Sequence, residues 1–414
     1  MKNFNPISYV RGMQQLLISD KKRIGFLFGA GTSLSRKNDN SAYVPAIGKM
    51  TECVLEKLME KKEFENALKE IMTEIPDLTI ESLLSNLETK KNIIGNGIIN
   101  GLDKTLFEEI LFETKKKIIE IVSIHNDVNK NNKINDLIQT DFAEWVGRAS
   151  RKYPIEIFTT NYDYLFEIGL ESKNINYYDG FCGSFEPFFN SETVNDLRYL
   201  PNEVKLWKIH GSLGWQFNKD GGKVIRSSSG KDDILIYPSI LKYDHSRKQP
   251  YIALMDRLSS FLKQDDSVLF VCGYSFGDEH INERIITAIR SNPSAHIYVL
   301  FYDKYWKEEI LYQSLTEDSQ LAQLAKENAQ ISILGSRNAV IGSQFGKWKI
   351  PDEPENEETA ILNQFFDEDA YTSLDEVLNK EEIGQEVWTG EGELTIVDFC
   401  EFTGFLKTMM GMIE

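Results

Sequence analysis

Short apolar runs that end in polar or glycine-rich clusters recur along this chain. Between them lie stretches whose apolar residues space at three and four. The first run, Ile24 to Phe28, stops at Gly29, Ala30, Gly31, Thr32 and Ser33, which reads as a buried strand turning tightly into a helix start. After Pro45 the pattern becomes helical and stays so through residues 48–152. Met50, Cys53, Val54 and Leu58 form one stripe, and Ile98 to Val122 gives another long periodic run. Within that stretch the asparagine-rich residues 126–135 read as a linker or exposed loop. From Tyr153 the strand pattern returns. Pro154 to Phe158 closes at Thr159, Thr160, Asn161, Tyr162 and Asp163; Leu206 to Ile209 closes at His210, Gly211 and Ser212. Residues 213–227 predict a hairpin around Asp220, Gly221 and Gly222. Val268 to Cys272 closes at Gly273, Tyr274, Ser275, Phe276, Gly277 and Asp278. A helix follows, then a strand from Ile297 to Tyr302, a helix to about Lys326, and a last strand from Ile331 to Leu334.

Alternating short strands and helices predict an α/β fold built on a Rossmann-like, mostly parallel sheet. Residues 1–47 and 153–345 would form that core, 48–152 a large helical insertion, and 350–414 a small acidic C-terminal segment. In open parallel sheets ligands bind beyond the carboxyl ends of the strands. Four strand ends here carry polar or glycine-rich clusters, so neighbouring parallel strands would bring all four to one crevice. At the first of them, glycine lets backbone approach a ligand closely, and the N–H groups of a helix start attract an anion such as a phosphate. The plainer reading is a tight turn that needs glycine for steric reasons only.

Charge sharpens the domain picture. The 414 residues carry a net −18, but residues 352–414 hold 18 Asp or Glu against Lys380 and Lys407, a balance of −16, which leaves −2 for the first 351. Such a segment repels nucleic acid and suits a basic protein surface or simple solvation. No strong direct nucleic-acid surface is expected. No apolar run approaches the ~20 residues needed to cross a bilayer, and the N-terminus lacks the apolar core of a secretory signal. Cys53, Cys182, Cys272 and Cys400 are too scattered for a disulfide framework or a Cys-x-x-Cys zinc module. The chain reads as cytoplasmic, with no membrane association.

Several chemistries fall away on spacing. A dehydrogenase-type loop wants a third glycine where this chain has Leu34, and an acidic residue about 20 positions on at a strand end; Glu52 sits in a helical pattern instead. No phosphate-binding loop with Gly-Lys-Ser/Thr occurs. Gly273, Ser275 and Gly277 match the nucleophile elbow of serine hydrolases, yet the only later histidines are His280, in the first turn after the serine, and His296, at the next strand. The five histidines form no His-x-x-x-His pair, so no metal ligands, zinc included, are assigned.

Taken together, the Gly-Ala-Gly-Thr-Ser loop, the Thr-Thr-Asn-Tyr-Asp strand end and the His-Gly-Ser strand end resemble the sirtuin family over roughly residues 20–340. The later Gly-Tyr-Ser-Phe-Gly-Asp-Glu-His-Ile is similar to the form found in the bacterial sirtuin-like branch used in antiphage defence. The resemblance implies that Gly29, Ala30, Gly31, Thr32 and Ser33 bind the pyrophosphate of NAD. It places Asn161 and Asp163 near the nicotinamide ribose, and makes His210 a general base on the ribose hydroxyls. Thr160 stands where sirtuins often carry Gln; Gly211 and Ser212 belong to the His-Gly-Ser cluster, and Gly273, Tyr274 and Ser275 would border ribose and phosphate. Residue chemistry is consistent with these roles. A rigid anion anchor and groups that stabilise an oxocarbenium-like centre are what cleavage of a glycosidic bond requires, and a histidine accepts protons near neutral pH. Each residue also has a plainer role: His210 as a satisfied core histidine, Asn161 as a helix cap.

Sirtuin deacylases carry a zinc ribbon of two Cys-x-x-Cys pairs, which this chain lacks. With no acyl oxygen to attack the sugar, the resemblance implies water as the acceptor and NAD as a substrate hydrolysed to nicotinamide and ADP-ribose. The resemblance further implies an NAD-depleting activity restrained until a trigger arrives, a homo-oligomer, and a HerA-like ATPase or translocase partner. A protein deacylase and a non-catalytic sensor of NAD or ADP-ribose stay open as alternatives.

Overall fold

The strand Arg23–Phe28 sits inside a ten-stranded sheet, paired in parallel with Ser267–Cys272 on one side and Glu156–Thr159 on the other. The computed structural model describes residues 2–131, 133–148, 151–218, 221–227, 233–235, 249–307, 309–351, 365–367 and 390–410. Across the sheet the strands run Lys2–Phe4, Gln344–Trp348, Asn338–Ile341, Ile331–Leu334, His296–Leu300, Ser267–Cys272, Arg23–Phe28, Glu156–Thr159, Val204–Lys208 and Tyr177–Tyr178. From Ile331–Leu334 to Tyr177–Tyr178 every pairing is parallel. This is the mixed α/β, mostly parallel, Rossmann-like architecture that the strand–helix alternation predicts.

Strand alternation divides the core into two layers. Ile24, Phe26 and Phe28, with Val268, Phe270 and Cys272, face one layer; Leu27, Leu269 and Val271 face the other. Gly25 belongs to the second face, where a Cβ would lie 2.6 Å from the ring of Phe261. The helices Tyr251–Leu262, Glu279–Arg290 and Gln320–Glu327 cover that face. Pro6–Ile18, Ile138–Arg148 and Phe399–Thr408 cover the first. Beneath the second layer, the Arg257 guanidinium makes a bidentate pair with buried Glu156, at 2.7 and 2.8 Å, and Trp207 donates its indole N–H to the same carboxylate at 2.8 Å.

The helices Ile47–Met59, Lys62–Glu74, Ile80–Ile93 and Lys104–Val122 share a separate core around Val54, Phe64, Ile71, Leu84 and Phe107. Ile138–Arg148, inside the same 48–152 stretch, packs Phe142 and Trp145 on the sheet instead. The asparagine-rich stretch read as a linker contains the short helix His125–Lys130 and a 3-10 turn over Ile134–Asp136.

Residues 302–326 are not one helix. Lys304–Lys307 and Ile310–Gln313 form an antiparallel ribbon, and the helix begins only at Gln320, capped by Ser319. Tyr305, Trp306 and Tyr312 favour strand over helix, and Ser319 supplies the helix start. Nor is Ile331–Leu334 the last strand: Asn338–Ile341 and Gln344–Trp348 extend the sheet antiparallel, turning at Gly342 and Ser343 with positive φ. The hairpin expected in 213–227 forms from Gly211–Asn218 and Lys223–Arg226, while Asp220 lies outside the described residues.

Of the acidic C-terminal segment, residues 352–364, 368–389 and 411–414 lie outside the described residues. Phe366–Asp367 pairs with Glu393–Leu394, and Phe399–Thr408 presses Phe402 to within 6.3 and 6.1 Å of the rings of Phe26 and Phe270. The described part of this segment is therefore built into the core of the central strands. Among the described residues no helix is long and apolar enough to cross a membrane.

Candidate active site at the carboxyl ends of the strands

The order of the sheet reverses between Arg23–Phe28 and Ser267–Cys272. From the first, the chain goes on to strands on one side; from the second, to strands on the other. Two loops leave the sheet at that switch point, where ligands bind in folds of this class. After Phe28 the chain enters a short helix, Ala30–Leu34, and after Cys272 it turns through Gly273 at φ +64°.

The two loops interlock. The Gly29 N–H donates to the carbonyl of Cys272, and the Gly31 N–H to that of Gly273, both at 3.0 Å. A Cβ on Gly29 would stand 2.4 Å from the Gly273 oxygen, and one on Gly31 2.6 Å from the Gly273 Cα. The glycines are thus required by loop-against-loop packing, the steric reading of this motif. Ala30, Gly273, Ser275 and Gly277 are exposed, whereas Thr32, Ser33 and Tyr274 are buried. The Thr32 hydroxyl donates to the Gly29 carbonyl at 2.8 Å, and Gln139 donates to the Thr32 carbonyl at 2.7 Å.

The next strand end clasps this loop. Thr160 donates its N–H to the Phe28 carbonyl. The Asn161 amide nitrogen reaches the Gly29 carbonyl, the Thr32 hydroxyl and the Ser33 hydroxyl at 3.1, 3.1 and 2.7 Å. Asp163 accepts from the Ser33 hydroxyl at 2.7 Å through one oxygen and from the Leu165 N–H at 3.0 Å through the other. The first two clusters therefore meet, as their place at neighbouring strand ends predicts, with Asn161 and Asp163 engaged in holding the loop. Lys208, buried at the end of its strand, donates to the Asp163 carbonyl and pairs with Glu167 at 2.8 Å.

The third cluster meets the fourth. His210 Nε2 lies 3.2 Å from Asp278 Oδ2. Gly211 turns the chain at φ +96°, buried Ser212 points back to the Gly214 N–H at 3.4 Å, and Leu213 donates to the Tyr162 carbonyl. Tyr274 donates its hydroxyl to the Asp278 carbonyl at 3.2 Å and approaches Asn282 at 3.1 Å; burial, with the Asp278 charge nearby, pushes that hydroxyl's pKa up. Motif spacing alone assigns Asp278 no role. Its position before a helix was the available signal, since Asp is a favoured N-cap.

A cavity of about 250 Å³ opens beside these groups, lined by His125, Tyr164, Glu167, Ser212, Gly214 and Arg226 among others. Burial raises the Glu167 carboxyl, opposed by Lys208, and lowers His125, opposed by the Asp163 charge. Glu167 Oε2 and His125 Nδ1 are buried without hydrogen-bond partners among the described residues. Neither residue stood out in the sequence, because the contacts that matter come from an element some 40 residues away. Among the described residues no three His, Cys, Asp or Glu side chains converge as metal ligands.

No curated protein matches the chain. Residues 155–331 match the family described as SIR2-like domain, a span that holds Asn161, Asp163, His210 and the Gly273–Asp278 turn and begins after the Gly29–Ser33 loop. Over that span the chain is similar to the sirtuin-like proteins.

Proposed function

We propose that the chain hydrolyses NAD at the nicotinamide–ribose bond, giving nicotinamide and ADP-ribose. One observation carries this reading: loops bearing a His–Asp pair and an Asn-clasped glycine turn meet at the switch point of a sheet whose strands within residues 155–331 match a SIR2-like domain. SIR2-like domains use NAD. On this reading the exposed Ala30, Gly273 and Ser275 border its pyrophosphate, and the interlocked glycines keep that lip rigid.

The bond breaks with its electron pair passing to the pyridinium nitrogen, so nicotinamide leaves neutral and needs no general acid. Water adds at the sugar carbon and one proton is released to a base or solvent. On this reading His210, with 12 % of its side chain exposed, is the general base that takes it. Asn161 and Asp163, assigned beside the nicotinamide ribose, act first by fixing the loop; their polar groups support the developing positive charge only through that geometry. The same reading has the protein deplete NAD in cytoplasmic antiphage defence as a homo-oligomer with a HerA-like ATPase partner, an assignment supported by resemblance.

The test incubates pure protein with NAD, with and without the ATPase and DNA, and follows nicotinamide. Release that disappears in His210→Ala supports hydrolysis. Binding without release under every condition identifies a sensor, and release only with an acyl-lysine peptide identifies a deacylase. Asn161→Ala is read beside its melting curve, because that change also frees the loop.

A further inference from the structure

We propose that Asp278 is a positioning residue that fixes the tautomer of His210, so that Nδ1 is the atom that accepts the proton. The inference rests on the hydrolase reading for its kinetic consequence only; the tautomer itself is a property of the resting protein.

The geometry divides the Asp278 carboxylate between two tasks. Oδ1 caps the helix Glu279–Arg290, accepting from the N–H groups of His280 and Ile281 at 3.0 and 3.3 Å. Oδ2 faces His210 Nε2 at 3.2 Å. The cap holds the carboxylate rotamer, and the Tyr274 hydroxyl holds the Asp278 carbonyl. Both side chains are largely buried, at 12 % and 9 % exposure, so water competes poorly for the contact. An ionised carboxylate is an acceptor only. The ring nitrogen facing it must therefore carry the hydrogen, which leaves Nδ1 with the free lone pair. A carboxylate that orients a catalytic imidazole in this manner governs which nitrogen can act as base.

The position also explains why the strand end and the helix start come together. Asp278 belongs to the turn that interlocks with Gly29 and Gly31, so one turn sets the glycine loop and the base.

Asp278→Asn separates this role from the structural one. Asn caps helices about as well as Asp, so its oxygen keeps the helix N–H groups while its NH₂ turns a donor toward His210. Nε2 must then accept, and the ring hydrogen moves to Nδ1. The ¹⁵N spectrum of labelled protein, with His210 assigned by its loss in His210→Gln, should show a protonated Nε2 and unprotonated Nδ1 in the native chain, reversed in Asp278→Asn. The rate constant kcat for nicotinamide release should fall at least about a hundredfold with KM changed only a few-fold and the melting temperature preserved. Asp278→Ser, which keeps a capping oxygen without the carboxylate, guards against a misfolded Asn variant and should also lose rate. A native His210 protonated at Nδ1 overturns the proposal, as does full kcat in both variants. Absence of NAD hydrolysis in the native protein would count against the hydrolase reading, while the tautomer measurement still decides the role of Asp278.

Discussion

Replacing Gly273 by alanine tests the interlocked loops directly. At φ +64° a side chain is strained, by about 1–2 kcal/mol for an L residue in the left-handed region. The new Cβ would also stand 2.6 Å from the Thr32 nitrogen and 2.8 Å from the Gly31 Cα. These are backbone atoms, so no side chain can swing aside, and overpacking of this kind costs roughly 1–3 kcal/mol. Together the two effects put the loss at about 2–5 kcal/mol. Urea unfolding followed by tryptophan fluorescence measures it, with Gly277→Ala as control; there, among the described residues, a Cβ meets only the Ser275 hydroxyl, at 3.4 Å, and should cost less than about 0.5 kcal/mol. The loops should part and NAD affinity, read by calorimetry, should fall in Gly273→Ala alone. A Gly273→Ala protein as stable as the control would refute the packing argument. Unchanged stability with lost NAD binding would show instead that the glycine serves the ligand.

Two further outcomes follow from residues away from the crevice. Gly404, exposed within the helix Phe399–Thr408, has nothing within 4 Å of an added Cβ among the described residues, so Gly404→Ala should stabilise the protein by about 0.5–1 kcal/mol in the same unfolding assay. Lys205, 2 % exposed, donates to the carbonyls of Tyr199 and Leu200, and burial lowers its pKa from 10.5 to about 8, opposed by the Glu156 charge. Between those values the unfolded chain holds a proton that the folded chain has released, so this group's contribution to stability rises with pH. The stability of the native protein relative to Lys205→Met should therefore increase by on the order of 1–2 kcal/mol from pH 7.5 to 9.5; a flat or falling difference would refute the assignment.

The parallel strands were legible because burial on both faces leaves short apolar runs, as in Ile24–Phe28 and Val268–Cys272, and because each ends at a polar cluster. The added ribbon at Lys304–Gln313 was not, since Tyr305, Trp306 and Tyr312 are exposed and follow no core periodicity. Charge misled at the C-terminus: Asp398 and Glu401 are acidic, yet they flank Phe399, Phe402 and Phe405, whose burial decides where that helix sits. At the site, Asn161 and the glycine loop could be placed together by strand order. The contacts of His125, Glu167 and Lys208 could not, because helix His125–Lys130 reaches the crevice through packing that no local spacing encodes.

The strand that carries the glycine loop has its two neighbours far along the chain, Glu156–Thr159 and Ser267–Cys272. Chains are made and begin to fold from the N-terminus. A growing polypeptide that ends before residue 267 has one flank of Arg23–Phe28 bare, no Gly273 turn for Gly29 and Gly31 to nest against, and no Asp278 for His210. The Gly273 side of the crevice is thus a product of late synthesis, and an unfinished chain holds neither the interlocked loops nor the His210–Asp278 pair.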